Sequence, residues 1–227
     1  MPIYKITKYI LQNSELMDSI YKSPELDYFY SDDFSPAFYV ELAKAGFITV
    51  GAIIQGQEFL LPEIQKSYAL LDFNNLHTSK KVKKLITKNR FYLKKSDDIS
   101  RLISHIKSYH IECWIGGRYT KLLLELELGE FRGFGLCGFE LVDREDGRVV
   151  AGEIGYFTHN IYTSLTGFFM RKKEYNNCGN LQLVLLAKEL EYLGLKFWNL
   201  GHPYMNYKLA LGAHIVEREE FLSQILQ

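Results

Sequence analysis

The sequence predicts an α+β fold: a mixed, mainly antiparallel sheet flanked by helices, preceded by a small α+β unit. Three observations predict it. Residues 134–143, 148–157 and 161–170 alternate as strands, with Glu145-Asp146-Gly147 and His159-Asn160 as turns. An amphipathic stretch over 177–193 reads as a helix, with Leu181, Val184, Leu185, Leu190 and Leu193 inward and Gly194 ending it; a short apolar strand over 197–200 follows. Upstream, one helix and three short strands at 47–54, 58–61 and 67–73 make a separate small pattern.

Taken in order, residues 1–24 read as a peripheral helix with Ile3, Ile6, Ile10 and Met17 at helical spacing. Ser35-Pro36 is a helix start, with serine as N-cap and proline at the first helical position, and Gly46 ends that helix. Thr78 or Ser79 caps a helix that turns Val82, Leu85 and Ile86 inward. Asp97 or Asp98 caps the next, on the stripe Ile99, Leu102, Ile103 and Ile106. Gly116-Gly117 breaks the chain before a helix over 118–128. A short helix over 204–211, a strand at 215–216 and a helix over 219–226 close it. The expected domains are 1–76, a basic link 77–95, and 96–227.

The chain has 227 residues, is 47% hydrophobic and 15% aromatic, and so can bury a full core. Twenty-seven basic residues balance 27 acidic ones, so no global field selects nucleic acid or membrane. Cys113, Cys137 and Cys178 are widely spaced, which argues against a zinc ribbon or a disulfide framework and fits a reducing, cytoplasmic setting. The first residues lack a secretory apolar core, and the least charged run, 149–170, reads as strands rather than a membrane span. His77, His159, His202 and His214 have no ligand spacing, so no metal is expected. A monomer with no membrane partner is expected.

Charge is locally uneven. Between His77 and Ser96 stand Lys80, Lys81, Lys83, Lys84, Lys88, Arg90, Lys94 and Lys95 with no acid among them. A solvated face usually mixes signs, whereas a phosphate-binding face does not. Both readings stay open.

The order of two helices, three antiparallel strands, helix, strand, helix and strand is that of the GNAT acyltransferase superfamily. The usual coenzyme-A loop is missing; residues 174–180 stand in its place. Local motifs resemble one branch more specifically, the leucyl/phenylalanyl-tRNA–protein transferases. These motifs are Leu76-His77-Thr78-Ser79-Lys80-Lys81, Cys113-Trp114-Ile115, and Ala210-Leu211-Gly212-Ala213 followed by Arg218 and Glu220-Phe221-Leu222. The resemblance spans roughly residues 28–225. It implies transfer of Leu or Phe from aminoacyl-tRNA to the N-terminus of proteins that begin with Arg or Lys. Aminoacyl-tRNA would be the co-substrate, with no further cofactor. It also implies tRNA binding by Lys80, Lys81, Lys83, Lys84, Lys88 and Arg90. Two family positions differ: Thr166 stands where the family has a glutamate, and Trp198-Asn199-Leu200-Gly201 replaces its Ile-Asp-Cys-Gln. A tRNA- or peptide-binding module and a small-molecule acyltransferase remain as alternatives.

Aminoacyl transfer needs an amine positioned, a proton removed and an oxyanion stabilised. Neither Asn199 nor Thr166 is a base, so each could only orient a group. Glu153, in an apolar strand, is the acid left in the core. It is either a base with a raised pKa or a satisfied polar residue paired with Lys208, Arg148 or a backbone amide. Tyr156, Tyr162 and Ser164 could face the same cleft, or the tyrosines could be cross-strand packing. Trp114 could stack on the terminal adenine or sit in the core. Phe168 and Trp198, with Met170, Leu183 and Phe197, could line an apolar pocket or be plain core. Lys208 could pair with Glu153 or hold a phosphate. His202 is the one histidine worth testing as a proton carrier.

Overall fold

The computed structural model describes residues 3–111 and 113–226. Turn chemistry sets the centre of the sheet. β7 (Phe134–Asp143) and β8 (Val149–Thr158) pair antiparallel across a turn with Gly147 at φ +73°, where Asp146 accepts a bond from the Arg148 amide at 3.0 Å. β9 (Ile161–Phe169) folds back through His159-Asn160. β6 (Phe91–Lys95) pairs antiparallel with β7, and β10 (Phe197–Asn199) lies parallel to β9.

The seven-stranded sheet is completed by β5 (Ser67–Leu71), antiparallel to β10, and β11 (His214–Glu217), antiparallel to β5. The order is β11-β5-β10-β9-β8-β7-β6. A division at residue 76 therefore separates β5 from the strands it is hydrogen-bonded to, because the last residues of the chain return to pair with it.

Two apolar clusters cover the sheet's faces. On one, Val82 of α4 (Lys80–Lys88) and Leu181, Val184 and Leu186 of α7 (Cys178–Tyr192) pack with Leu141 and Trp198. On the other, α3 (Pro36–Lys44), α5 (Ile99–Tyr109) and α6 (Gly117–Leu128) bury Phe38, Ile103 and Leu122 with Val142 and Phe197. Strands covered on both faces can be apolar almost without interruption, and β7 and β8 are. In α7 the inward stripe uses Cys178 and Leu186, while Leu193, expected inward, is 52% exposed beyond the helix end.

Two of the expected caps are made by the side chain, while Ser35 before Pro36 makes no such bond. Ser79 accepts from the Val82 amide at 3.3 Å and Asp98 from the Ser100 amide at 2.8 Å. α6 starts on glycine and takes its cap from a distant strand: the Glu58 carboxylate accepts from the Arg118 amide at 2.8 Å. The single helix expected over 1–24 is instead β1 (Tyr4–Lys5), α1 (Lys8–Gln12) and α2 (Ser14–Lys22); its first two residues lie outside the described ones. The break is Asn13, whose side chain accepts from the Glu15 and Leu16 amides, both at 3.1 Å. β2 (Phe29–Tyr30) precedes the hairpin of β3 (Ile48–Ile54) and β4 (Gln57–Glu63). After β10 come α8 (Asn206–Leu211) and α9 (Arg218–Ile225). The guanidinium of Arg218, 6% exposed, donates to the carbonyls of Ser23, Ile64 and Gln65 at 2.6, 2.9 and 3.0 Å, tying α9 to the N-terminal segment.

Candidate active site

β9 and β10 pair over three positions only, Ile161 with Phe197, Tyr162 with Trp198 and Thr163 with Asn199. Beyond them the two strands diverge. The β8–β9 ladder is also irregular there. Ile154 faces Thr166 and Gly155 faces Ser164, so Leu165 is an extra residue that bends β9. A cavity of about 630 Å³ opens in the gap, with Trp114, Glu153, Ser164, Gln182, Tyr207 and Lys208 among its walls.

Glu153 is 4% exposed, yet it forms no ion pair among the described residues. Its Oε1 accepts from the Ser164 hydroxyl at 2.7 Å and the Tyr162 hydroxyl at 3.2 Å; its Oε2 accepts from Gln182 Nε2 at 3.2 Å. The Trp198 indole donates to Ser164 Oγ at 2.8 Å, and an indole can only donate. The serine's one proton is therefore committed to Glu153. Burial raises the carboxyl to about 7, against the lowering effect of the three donors and Lys208. Oε1 is doubly occupied, so the free lone pair for an incoming proton is on Oε2.

Lys208, 5% exposed, donates to the carbonyls of Leu200 and His202 at 2.5 and 2.7 Å rather than forming an ion pair with Glu153. Burial lowers its pKa to about 8, with Glu153's charge opposing the shift. Two of its three N–H groups are used, so one remains for a group in the cavity. Acid and ammonium thus share one chamber without neutralising each other.

Several expected site residues stand elsewhere. Asn199 is 1% exposed and absent from the wall: its Oδ1 accepts from the Gly201 amide at 2.9 Å, closing the turn that Gly201 makes at φ +72°. Trp198 and Tyr162, both fully buried, support the site from behind, through Ser164 and Glu153. Tyr156 is core: it stacks on Phe134 at 5.5 Å and donates to the Phe47 carbonyl at 3.3 Å. Thr166 forms part of the wall, but it pairs with Ile154, so its side chain leaves the sheet on the face opposite Glu153. Phe168 reaches the wall and is stacked on His105 at 4.8 Å. Arg148 bonds Asp146 and Tyr175, and His202 bonds Glu63 at 2.9 Å.

The cavity also contains groups that the sequence did not single out. Gln182 is one, although it follows Cys178 by four residues on the buried stripe of α7, where a polar residue signals a partner. His110 is another; its Nε2–H donates to the Gly167 carbonyl at 3.1 Å. Tyr207, next to Lys208 just past the strand end, also forms part of the wall; the residue is 43% exposed, and burial pushes its hydroxyl up to about 12.

A family model described as leucyl/phenylalanyl-tRNA protein transferase matches residues 70–226. The chain belongs to that family. No curated protein matches it. Among solved structures, FemX is similar at 10% identity and TM-score 0.51, over 96% of this chain and 80% of that one. That likeness shows a shared fold. A tandem GNAT protein from the clavulanic acid biosynthesis pathway is similar at 12% identity and TM-score 0.42, over 90% of this chain and 68% of that one. So is a C-terminal domain assigned to a lysylphosphatidylglycerol synthetase from Agrobacterium fabrum. It matches at 15% identity and TM-score 0.44, over 77% of this chain and 53% of that one, so this chain spans about half of it.

In this leucyl/phenylalanyl-tRNA protein transferase family member, α4 presents Lys80, Lys81, Lys83, Lys84 and Lys88 to solvent and buries only Val82. None of the ion pairs among the described residues engages them. Arg90 differs from these lysines. It donates through Nε to both oxygens of the fully buried Asp143 at 3.0 Å and lies over the rings of Phe91 and Tyr175. It is a structural cation rather than a free phosphate ligand. Among the described residues, no group of three or more His, Cys, Asp or Glu is placed to hold a metal ion. No helix among them is long and apolar enough to cross a membrane.

Proposed function

We propose that this transferase moves an amino acid of the Leu or Phe type from aminoacyl-tRNA to the N-terminal amine of a protein with a basic first residue, marking that protein for degradation. The observation that carries the reading is Glu153, a buried carboxylate held by three donors with its remaining lone pair available in the cavity. The amine attacks the ester carbonyl, and Glu153 Oε2 takes the proton that the new C–N bond displaces. The free N–H of Lys208 stabilises the oxyanion. When the C–O bond breaks, the proton passes to the leaving 3′ (or 2′) oxygen of the terminal ribose, regenerating the carboxylate. The ester is already activated, so no cofactor enters the scheme. Trp114, Leu165 and Leu183 give the wall its apolar part, suited to a Leu or Phe side chain. The preference for a basic acceptor and a cytoplasmic setting rests on the family resemblance.

The test supplies Phe-tRNA or Leu-tRNA and a peptide beginning with Arg or Lys. The peptide is expected to gain one Phe or Leu residue. No transfer, together with tRNA affinity unchanged when Lys80, Lys81, Lys83 and Lys84 become Ala, refutes the reading. Thermal stabilisation by acetyl-CoA in its place would assign a small-molecule acyltransferase.

A further inference from the structure

The loop and helix after β10 carry a group of exposed apolar side chains beside the cavity mouth. Tyr204 is 79% exposed, Met205 53% and Tyr207 43%. Met205 and Tyr207 also form part of the cavity wall, so this surface continues the site outward. Tyr204 is not loose. Its ring lies on the His202 imidazole at 5.5 Å with 23° between planes, and His202 is fixed by the Glu63 carboxylate at 2.9 Å. One face of the tyrosine is therefore backed by a second ring and the other is open. Backed, open-faced aromatics are what unpaired bases stack on.

The other end of α8 leads to the basic helix. His77 donates from its amide to the Leu211 carbonyl at 2.8 Å and from Nδ1 to the Ala210 carbonyl at 3.1 Å. α4 begins three residues later. The lysine face, α8 and the cavity mouth therefore form one connected run: lysines outside any ion pair among the described residues, then open aromatic rings, then the chamber of Glu153 and Lys208. That succession matches a nucleic acid whose duplex phosphates precede a single-stranded reactive end.

We propose that the surface formed by Tyr204 and Met205, just before α8, and by Tyr207 on it is a stacking platform for the single-stranded 3′ end of an RNA whose duplex phosphates lie on α4. The inference rests on the reading of aminoacyl-tRNA as substrate. An N-terminal peptide is the other occupant to separate; the continuity with a helix whose lysines enter none of the ion pairs among the described residues favours RNA.

The test measures fluorescence anisotropy with two labelled RNA hairpins of identical stem, one blunt and one with a short unpaired 3′ tail. The tailed hairpin is expected to bind the intact protein about tenfold more tightly than the blunt one, the scale of a single stacked base. Tyr204→Ala removes most of that preference, Tyr204→Phe keeps it, and neither changes affinity for the blunt hairpin. Tyr204 is mostly solvent-exposed, so the substitution leaves the fold intact, which a melting curve verifies. A tail preference that survives Tyr204→Ala overturns the platform, as does an equal loss on both hairpins. A Tyr204→Ala effect confined to the KM of the acceptor peptide gives the surface to peptide instead. If neither hairpin binds, the tRNA reading fails and the platform with it. If both bind through the lysines without any tail preference, the platform fails alone.

Discussion

Replacing Glu153 with Gln separates chemistry from folding at one position. Glutamine keeps the shape, and its oxygen can still accept from Ser164 and Tyr162; Gln182 turns its amide over to meet the new NH2. No buried group is orphaned, so the fold should survive. The charge is what disappears. The carboxyl moves from 4.5 when unfolded to about 7 in the fold because burial disfavours its ionised form. At ~1.4 kcal/mol per pKa unit, holding it ionised opposes folding by about 3 kcal/mol, an upper bound. The folded state binds the proton more tightly, so wild-type stability falls as pH rises from about 4.5 to about 7, and glutamine escapes that fall. The variant should therefore melt at or near the wild-type temperature at pH 4.5 and several degrees above it at pH 8. Transfer should drop ~10²–10⁴-fold, the usual contribution of a positioned base. Calorimetry across pH and single-turnover transfer from Phe-tRNA measure the two effects. A variant that transfers within a few-fold of wild type, or melts below it at pH 8, refutes the assignment.

The wild-type rate should be bell-shaped in pH. It should rise as Glu153 loses its proton near 7 and fall as Lys208 loses its own near 8, with both apparent values belonging to the pair; a flat profile from 6 to 9 would count against their joint use. Lys80, Lys81, Lys83 and Lys84 changed together to Ala should weaken tRNA binding and flatten its salt dependence, by about one unit of log–log slope for each phosphate no longer neutralised. Arg90→Ala should instead lower the melting temperature, because it strands the buried Asp143, and should leave the salt slope alone. Gly155→Ala would place a methyl 2.5 Å from the Thr163 carbonyl and against the Tyr162 hydroxyl. A loss of ~1–3 kcal/mol by chemical denaturation is expected, with Tyr162 pushed off Glu153 and transfer impaired.

The three central strands, α7 and the α4 cap were legible because each is set locally, by alternation, by helical spacing, and by a serine before an apolar stripe. Glu153 was legible for a related reason: a lone acid in an apolar strand needs an account wherever the strand lies. What a residue's side chain bonds to was not legible. Asn199 reads like a site residue at a strand end, but its amide is spent on the turn at Gly201. Arg90 reads like its lysine neighbours until Asp143, far along the chain, is found beneath it. Gln182 was missed among leucines, although its place on the buried stripe of α7 was a usable signal. The position of β5 could not be read at all, since its neighbours in the sheet lie near the other end of the sequence.

That placement of β5 governs the order in which the chain can assemble. Leu71 lies opposite Trp198, and Ala69 opposite Ile215, each more than a hundred residues downstream. As the polypeptide leaves the ribosome, Ser67–Leu71 emerges early and then waits, an apolar strand with both edges bare, until β10 and β11 have been synthesised. Synthesis rate and holdase chaperones would therefore bear on the yield of this protein more than on that of a chain whose strands meet in order. Joining the termini and opening the chain after β5 would leave only 218–227 and 1–66 between 214–217 and 67–71, and should speed refolding by shortening that closure.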